Sequence, residues 1–358
     1  MRKKSYHKPI VDIQQCPITP DNTLSEWLDY WFENFSLRSL KQSTAISYKG
    51  YINNHIKPNI GNFKLSELSI GVLQEFINRE YDCGKLTDGK EGEGLSPKTI
   101  RNINLMIHKT LKKANELDLI PKNYAEFVQL PRCHKPKVRV LTPSEHKRLL
   151  LTLQHSEEPL RFGVYLSLVT GMRLGEVLGL RWIDIDLVDN VLRIERTVSR
   201  LCSVDGDGTQ LVVGTPKTDS SLRDIPFSDT VKEEFIKYRK WQDKYLNIKQ
   251  PKKGDYVLMM RRGYPVEPKT MQDGFKRILD AAGIRDINFH ALRHTFATRA
   301  IEDHMDPKTL SVLLGHADVS TTLNRYAHVL EQQKRKAMEM YLASFNDNIL
   351  QNQGGTKL

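Results

Sequence analysis

Cysteine is scarce and scattered in this sequence. The four residues Cys16, Cys83, Cys133 and Cys202 include no Cys-x-x-Cys pair, which excludes a zinc ribbon and gives no disulfide framework. The basic start MRKKSYHKPIVDIQQ has no apolar run behind it, so it is not a secretory signal. No apolar stretch approaches the length of a membrane span. These absences predict a cytoplasmic protein with no membrane partner.

Motifs for nucleotides and metals are also absent. The chain has no GxxxxGK[ST] loop for ATP, and its histidines lack the glutamate of an HExxH zinc motif. Asp184, Asp186 and Asp189 could suggest a two-metal nuclease, but their place between Trp182 and a predicted strand favours a polar hairpin or turn. We therefore expect no metal and no cofactor.

The charge of the chain is strongly positive. Its formal net charge is +11 and its pI about 9.3, so an anionic partner such as nucleic acid is one interpretation. A whole-chain charge of this size is also common as a feature that only promotes solubility. Composition alone therefore leaves both interpretations open.

Hydrophobic periodicity predicts a helical first half. Leu24, Trp27, Leu28 and Trp31 recur at three- and four-residue spacing, as on one face of a helix. The glycine-rich segment 82–95 is predicted to be a flexible surface loop. A helix is expected to restart at Ser96-Pro97, with the serine as its N-cap. The pattern predicts a small all-helical domain over residues 21–130.

The second half mixes helices and strands. Thr142-Pro143-Ser144-Glu145 is a capping-box pattern, and helices are predicted at 143–155 and 159–170. Strands are predicted in 191–200 and 211–227, and the chain is then helical to about residue 345. This order is typical of an α+β domain. The predicted boundaries are a basic tail (1–20), the helical domain (21–130), a basic linker (131–140), the second domain (141–345) and a flexible tail (346–358).

One C-terminal segment collects cationic and protonatable groups. HALRHTFATR (290–299) places His290, Arg293 and His294 near one another on a helix. Taken alone, it fits a solvated helix face, a two-histidine metal site or a pocket for a phosphate. The metal site is disfavoured because no further ligand is evident.

Neighbouring segments present further candidates at helix ends. Arg173 is expected at the start of a helix, directly after a glycine that ends the preceding one. Gly315 occupies the position of a left-handed C-terminal cap, which would hold His316 at a helix end. Tyr326 is expected about two turns into the next helix, for which Ser320 is the predicted N-cap.

In this order and at these separations, the segments resemble the signature of the tyrosine recombinase (phage integrase) family. The four blocks are GMRLGE (171–176), HALRHTFAT (290–298), LLGH (313–316) and Tyr326. The resemblance covers nearly the whole chain, since region 21–130 is similar to the family's core-binding domain. It implies a multidomain fold, in which this all-α domain precedes a mainly helical α+β catalytic domain with a small antiparallel sheet.

The resemblance also implies the catalytic residues. It matches the family's arginine pair, its two histidines, a lysine on a strand-to-strand turn and the tyrosine nucleophile to six positions of this chain. In that order they are Arg173 and Arg293, His290 and His316, Lys217, and Tyr326.

These roles explain why the cationic groups are needed. Guanidinium forks can clamp the phosphate oxygens on which negative charge builds during strand cleavage. Tyr326 would attack the phosphorus and form a covalent 3′-phosphotyrosine, while a 5′-hydroxyl leaves. His290 is the predicted helper for the tyrosine's proton, and Lys217 the predicted acid for the leaving oxygen. Because the intermediate keeps the energy of the broken bond, rejoining needs neither metal nor ATP.

The resulting expectation is a site-specific DNA recombinase that integrates and excises a mobile element, such as a phage or conjugative transposon. The alternatives are a chromosome-dimer resolvase of the same family, a type IB topoisomerase, a non-catalytic DNA-binding relative and a metal-dependent nuclease. The resemblance implies double-stranded DNA as partner and a homo-tetramer on DNA. An excisionase or a host DNA-bending protein is a candidate accessory partner.

Two further expectations concern the ends of the chain. About twenty residues precede the first predicted helix, too few for the arm-binding domain of many integrases, so the protein is expected to lack that domain or to be a shortened form. Near the C-terminus, an apolar stripe could pack on its own domain, and the family resemblance implies that it docks on a neighbouring subunit. The stripe consists of Met338, Tyr341, Leu342 and Phe345.

Basic residues outside the catalytic set are candidates for DNA contacts. Lysines and arginines that neutralise phosphates would make binding depend on salt. The candidates are Lys41, Lys49, Lys98, Arg101, Lys109, Lys135, Lys137, Arg139 and Arg181.

Overall fold

The chain forms two compact units, the first of residues 1–136 with 202–208 and the second of residues 137–201 with 209–358. The computed structural model describes residues 16–87, 90–91, 93–133, 139–202, 208–216, 219–246, 252–260, 263–327, 334–335, 338–339 and 341–342. Several predicted features lie outside these residues, namely the basic stretch 1–15, Lys135, Lys137, Lys217 and Phe345.

The first unit is helical, as expected. Its α-helices are α1 (Leu24–Trp31), α2 (Gln42–Tyr51), α3 (Lys57–Ile60), α4 (Ile70–Cys83) and α5 (Pro97–Glu116). Single 3-10 turns occur at Leu65–Glu67 and Tyr124–Glu126, and π-helical turns continue α1 and α2 at Phe32–Ser36 and Ile52–Ile56. Trp27 and Leu28 are completely buried. The predicted apolar face of α1 therefore forms part of the core.

The prediction of a flexible loop at 82–95 was wrong in part. The segment contains a short antiparallel hairpin of β1 (Leu86–Thr87) and β2 (Lys90–Glu91). Next to the hairpin, the Lys85 amide donates to the Glu93 carbonyl at 2.9 Å. Backbone pairing alone defines these strands, and the glycine- and charge-rich sequence carries no apolar alternation that would reveal them.

The second unit combines helices with two small sheets, which confirms the α+β prediction. Its helices are α6 (Pro143–His155), α7 (Arg161–Thr170), α8 (Leu174–Gly179), α9 (Asp229–Leu246), α10 (Pro268–Ala281), α11 (His290–Glu302), α12 (Pro307–Leu314) and α13, described over 319–327. Its strands are β3 (Ile185–Asp186), β4 (Val191–Ile194), β5 (Thr197–Cys202), β6 (Thr209–Gly214) and β7 (Arg223–Pro226). Short 3-10 turns lie at Trp182–Asp184 and Asp219–Ser221.

The sheet β3-β4-β7 is antiparallel and places one charged side chain inward. Arg223 pairs with Ile194 across β4 and β7, and Ile225 pairs with Leu192. Along β7, Arg223 and Ile225 are buried while the residues that follow each of them are exposed. An arginine on the inner face of a strand requires an acidic or carbonyl partner.

Helix caps in this unit follow the predicted chemistry with one exception. Gly171 and Gly315 both adopt left-handed backbone angles, with φ of 69° and 63°, at the ends of α7 and α12. The prediction that Ser320 caps α13 was wrong. Asp318 is the cap, since its Oδ1 accepts the Ser320 amide at 2.8 Å. Both residue types cap helices well, and the sequence does not separate two candidates two positions apart.

The described helices include none that is both long enough and apolar enough to cross a membrane.

Gly171 offers a test of how tightly the site region is packed. A Cβ there would lie 2.5 Å from Cδ1 of Phe296 and 2.8 Å from Cδ2 of Leu314. Gly171→Ala is therefore expected to lower the free energy of unfolding by about 2–4 kcal/mol, through left-handed strain and overpacking together. At the control position Gly283, φ is 62° and nothing lies within 4 Å of a Cβ. Gly283→Ala should cost only about 1 kcal/mol. Equal losses in urea unfolding would contradict the close packing.

Candidate active site

Arg173 is held at the start of α8 by a carboxylate and a carbonyl. Its Nη1 donates to Oε1 of Glu176 at 2.7 Å, and its Nη2 donates to the Gly315 carbonyl at 3.1 Å. The Arg173 amide also donates to Oε2 of Glu176, at 2.9 Å, so this carboxylate binds both the backbone and the side chain of Arg173. The side chain is still about one-third exposed. The guanidinium is thus fixed in direction while part of it faces solvent.

Arg293 extends from α11 and is 2% exposed. Its Nη1 donates to the Gly171 carbonyl at 2.9 Å and its Nη2 to the Leu314 carbonyl at 2.6 Å. Burial, and next the charge of Arg173, lower the pKa of Arg293. A guanidinium nevertheless remains charged at any ordinary pH. Its position between two helix-terminal carbonyls partly offsets the cost of burying that charge.

The buried carboxylate of Glu176 joins two arginines. Arg223 donates from Nη2 to Oε2 at 2.9 Å and from Nη1 to Oε1 at 3.2 Å, while Arg173 shares Oε1. Burial acts to raise the pKa of Glu176, but the hydrogen bonds and charge of Arg223, with the charge of Arg173, hold it below its usual value. Arg223 also donates from Nε to the Leu313 carbonyl at 2.5 Å. Glu176 therefore stays ionised and positions both guanidiniums.

Two predicted histidines lie beside these arginines. The His316 Nδ1 is 2.7 Å from Oγ1 of Thr322, and burial followed by the charges of Arg293 and Arg173 lowers its pKa to about 4. His290 is the first residue of α11 and is exposed. Partial desolvation, and next the charge of Arg293, also lower its pKa. Both imidazoles are therefore neutral at physiological pH.

Tyr326 lies on α13 with its side chain turned into the domain. It is 3% exposed and belongs to a small apolar cluster that includes Ile301 and Leu310. Its Oη is 3.0 Å from Nδ1 of His294. Burial raises the pKa of Tyr326 to about 12, although the charge of Arg293 acts in the opposite direction. The phenol is thus protonated and held by a histidine.

The described parts of the predicted catalytic set converge on the end of α12. Arg293 donates to the Leu314 carbonyl, and Arg173 donates to the carbonyl of the next residue, Gly315. His316 follows directly in the chain. The charges of both arginines act on His316, and that of Arg293 acts on Tyr326. Lys217 lies outside the described residues.

The predicted DNA contacts are spread over both units. In the first, Lys41 and Lys49 lie at the two ends of α2, while Lys98, Arg101 and Lys109 lie exposed on α5. In the second unit, Arg139 pairs with Glu145, and Arg181 lies over the Tyr256 ring and donates to its hydroxyl.

Four residues near the site carry roles that the sequence analysis did not assign. They are Glu176, Arg223, His294 and Arg325. The charge of Arg325 acts on Tyr326 and on the three site histidines. Glu176 and His294 stand inside the recognised motifs, and the inward position of Arg223 on a strand was an available signal. Arg325 had no signal beyond its place beside the tyrosine.

The aspartates of WIDIDLVDN form a hairpin network. Asp184 accepts from Arg196 at 2.6 Å and from the Arg181 amide at 2.8 Å. Asp186 accepts the amides of Val188 and Asp189 in the turn between β3 and β4. Among the residues that the structure describes, no group of three or more His, Cys, Asp or Glu side chains could hold a metal ion.

Comparison with protein-family models identifies both units. The model described as "Phage integrase family" matches residues 139–333, which is more than half of the chain. A second model, "Phage integrase, N-terminal SAM-like domain", matches residues 23–81. This chain belongs to the phage integrase family. It is a tyrosine recombinase, an enzyme that cleaves and rejoins DNA strands.

Individual relatives of this recombinase include both Xer-type and phage proteins. The "Tyrosine recombinase XerC-like" of Caldanaerobacter subterraneus subsp. tengcongensis is 29% identical over 337 residues, covering 89% of this chain and 82% of the relative. The integrase of Staphylococcus phage L54a is 25% identical over 338 residues, covering 87% and 89%.

Solved structures share the fold of the recombinase. The integrase of transposon Tn1549 in complex with transposon right-end DNA has a TM-score of 0.72 at 24% identity, covering 89% of this chain and 99% of that one. A lambda integrase tetramer bound to a Holliday junction has a TM-score of 0.59 at 22% identity, covering 88% and 83%.

The shared carboxylate predicts a stability effect. Glu176→Gln is expected to lower the free energy of unfolding by about 3 kcal/mol, because it leaves two guanidiniums without their buried counter-charge. The control is Glu234→Gln, which removes a partner of exposed Lys237 and should leave stability close to that of wild type. Urea unfolding measures both, and equal effects would contradict the role given to Glu176.

The site histidines predict a pH dependence of stability. Burial, and next the charge of His290, lower the pKa of His294 from 6.5 to about 3, so the unfolded chain binds more protons than the folded one below pH 6.5. His294 thus contributes stability that is present above pH 6.5 and is lost as pH falls toward 3, by up to about 1.4 kcal/mol per pH unit.

Unfolding from pH 7 to 4 measures this slope. His294→Asn should reduce the slope of the unfolding free energy against pH. The control His155→Asn, at an exposed histidine, should leave that slope unchanged. Parallel curves for wild type and His294→Asn would contradict the shifted pKa.

Proposed function

We propose that this recombinase integrates and excises a mobile element through a covalent bond between Tyr326 and a DNA 3′-phosphate. The observation that carries the proposal is the meeting of Arg173, Arg293 and His316 at the end of α12, next to the helix that bears Tyr326. Relatives named as a phage integrase and a transposon integrase support the assignment to a mobile element.

The arginines are proposed to bind the scissile phosphate. Arg173 is held by hydrogen bonds and is partly exposed to solvent, so its guanidinium is preorganised to bind phosphate oxygens. Arg293 donates to the adjacent Leu314 carbonyl and adds positive charge from a buried position. Donors aimed at developing charge in such a site each contribute about a hundredfold or more in rate. The neutral His316 can donate a further hydrogen bond.

Tyr326 is proposed as the nucleophile, and its proton must leave during the attack. Its Oη forms a bond to phosphorus while the bond from phosphorus to the 5′-oxygen breaks. That oxygen needs a proton, for which Lys217 remains the proposed donor. The reverse reaction rejoins the strand, so no nucleotide or metal is required.

DNA is proposed to lie against both domains. We assign residues 21–130 to a core-binding domain and 141–345 to the catalytic domain, joined by the basic linker 131–140. The Tn1549 and lambda integrases of similar fold are bound to DNA in their structures. The basic residues on α2 and α5, with Arg139 and Arg181, are proposed phosphate contacts, which makes binding weaken with salt.

Assembly into a tetramer on DNA is proposed from the lambda integrase tetramer and the C-terminal stripe. Met338, Tyr341 and Leu342 each expose more than half of their surface. An apolar stripe of this kind suits docking on a neighbouring subunit. An excisionase or a DNA-bending protein remains a proposed accessory partner.

Trapping of the covalent complex tests the function. The protein would be mixed, in EDTA, with nicked duplexes from the ends of its element, which lose a short fragment on cleavage. A slower band on a denaturing gel is expected for wild type and is expected to be absent for Tyr326→Phe, which lacks the attacking oxygen.

Other outcomes separate the rival functions. No band from a duplex that the protein binds would favour a non-catalytic relative. A free cut product only with magnesium would favour a nuclease. Covalent cleavage and supercoil relaxation without preference for those ends would favour a topoisomerase.

A further inference from the structure

The partner of the nucleophile is not His290, the residue that the sequence predicts as the helper for its proton. The hydroxyl of Tyr326 meets Nδ1 of His294 at 3.0 Å, one helical turn beyond His290. His290 instead contacts His294 edge to face, with ring centroids 4.6 Å apart. The two histidines therefore differ in position, since His294 touches the reacting atom and His290 supports the ring of His294.

The environment fixes the protonation state of this pair. His294 is 4% exposed and Tyr326 is 3% exposed, so water does not compete strongly for their hydrogen bond. Because the phenol is protonated, it donates the hydrogen bond, and Nδ1 of His294 must be the unprotonated nitrogen that accepts it. The lone pair of this neutral imidazole therefore faces the proton of the nucleophile, which is the geometry of a general base.

We propose that His294 is the general base that takes the proton of Tyr326 during strand cleavage. The inference rests on the proposed function of Tyr326 as nucleophile. In the step, the O–H bond of Tyr326 breaks and an N–H bond forms at Nδ1 of His294, while Oη bonds to phosphorus and the 5′-oxygen leaves with a proton from a separate acid. When the strand is rejoined, His294 returns the proton to Oη.

The surrounding charges make this base responsive to the substrate. Besides burial, the groups that lower the pKa of His294 are His290 and Arg293 on the same helix, Arg325 on α13, and His316 after α12. The two arginines are cations beside the site at which the phosphate would bind. An anionic phosphate there offsets their charge and raises the pKa of His294. The base thus gains strength when DNA is in place, and the free protein keeps its tyrosine protonated.

The test is the single-turnover rate of covalent trapping for matched asparagine variants. His294→Asn keeps a hydrogen-bond acceptor near the place of Nδ1 but cannot take the proton. It is expected to slow trapping by roughly a hundredfold or more. His146→Asn is the control, since His146 is another histidine of this domain whose pKa burial lowers. It should cleave at the wild-type rate.

A second substrate separates a base from an acid, and binding and unfolding measurements test for a structural role. Replacing the bridging 5′-oxygen by sulfur gives a leaving group that needs no acid. The His294→Asn defect should persist with this duplex, whereas a defect in the acid would disappear. DNA binding and urea unfolding of His294→Asn and His294→Ser show whether either variant is folded, and either folded variant suffices for the test.

Three results would overturn the proposal. One is a His294→Asn rate within about threefold of wild type with a large loss in His290→Asn, which would make His290 the base. Another is rescue of His294→Asn by the sulfur substrate. The third is faster trapping by His294→Asn, which would mean that His294 restrains the tyrosine. Failure of the proposed function is distinct, because wild-type protein would then trap no DNA through Tyr326.

Discussion

The candidate site depends on one buried carboxylate. Glu176 binds Arg173 and Arg223 at once, and Arg223 in turn holds the Leu313 carbonyl at the end of α12. A cluster of guanidiniums inside a protein would be unstable without an ionised partner. One carboxylate among three arginines, the third being Arg293, leaves an excess of positive charge. That excess is what a phosphate diester would neutralise.

The same charge sets the protonation of the other groups. Positive neighbours and burial keep His290, His294 and His316 neutral, while burial keeps Tyr326 protonated. The free protein therefore holds a nucleophile that is positioned but not ionised. Binding of an anion offsets the positive charge of the arginines, and a protonated histidine beside them is then less unfavourable. Substrate binding and activation of the tyrosine are thus linked through one set of charges.

The sequence predicted much of the fold and of the candidate site, but not the side-chain pairings. Amphipathic spacing predicted α1, and a capping-box pattern predicted α6. The glycines predicted the helix end at Gly171 and the left-handed cap at Gly315, because these signals are local. The pairing of His294 with Tyr326 could not be read in the same way. It depends on the packing of α13 against α11, across 32 positions of the chain. The hairpin at 86–91 was missed because backbone pairing, and not side-chain pattern, defines it.

The most direct measurement is mass spectrometry of the trapped DNA complex after nuclease and trypsin digestion. Trypsin cleaves after Arg325, so the peptide of interest begins at Tyr326 and ends at Lys334. This peptide is expected to carry a nucleotide joined to the tyrosine through a 3′-phosphate. A nucleotide on any other residue, or one joined through a 5′-phosphate, would contradict it.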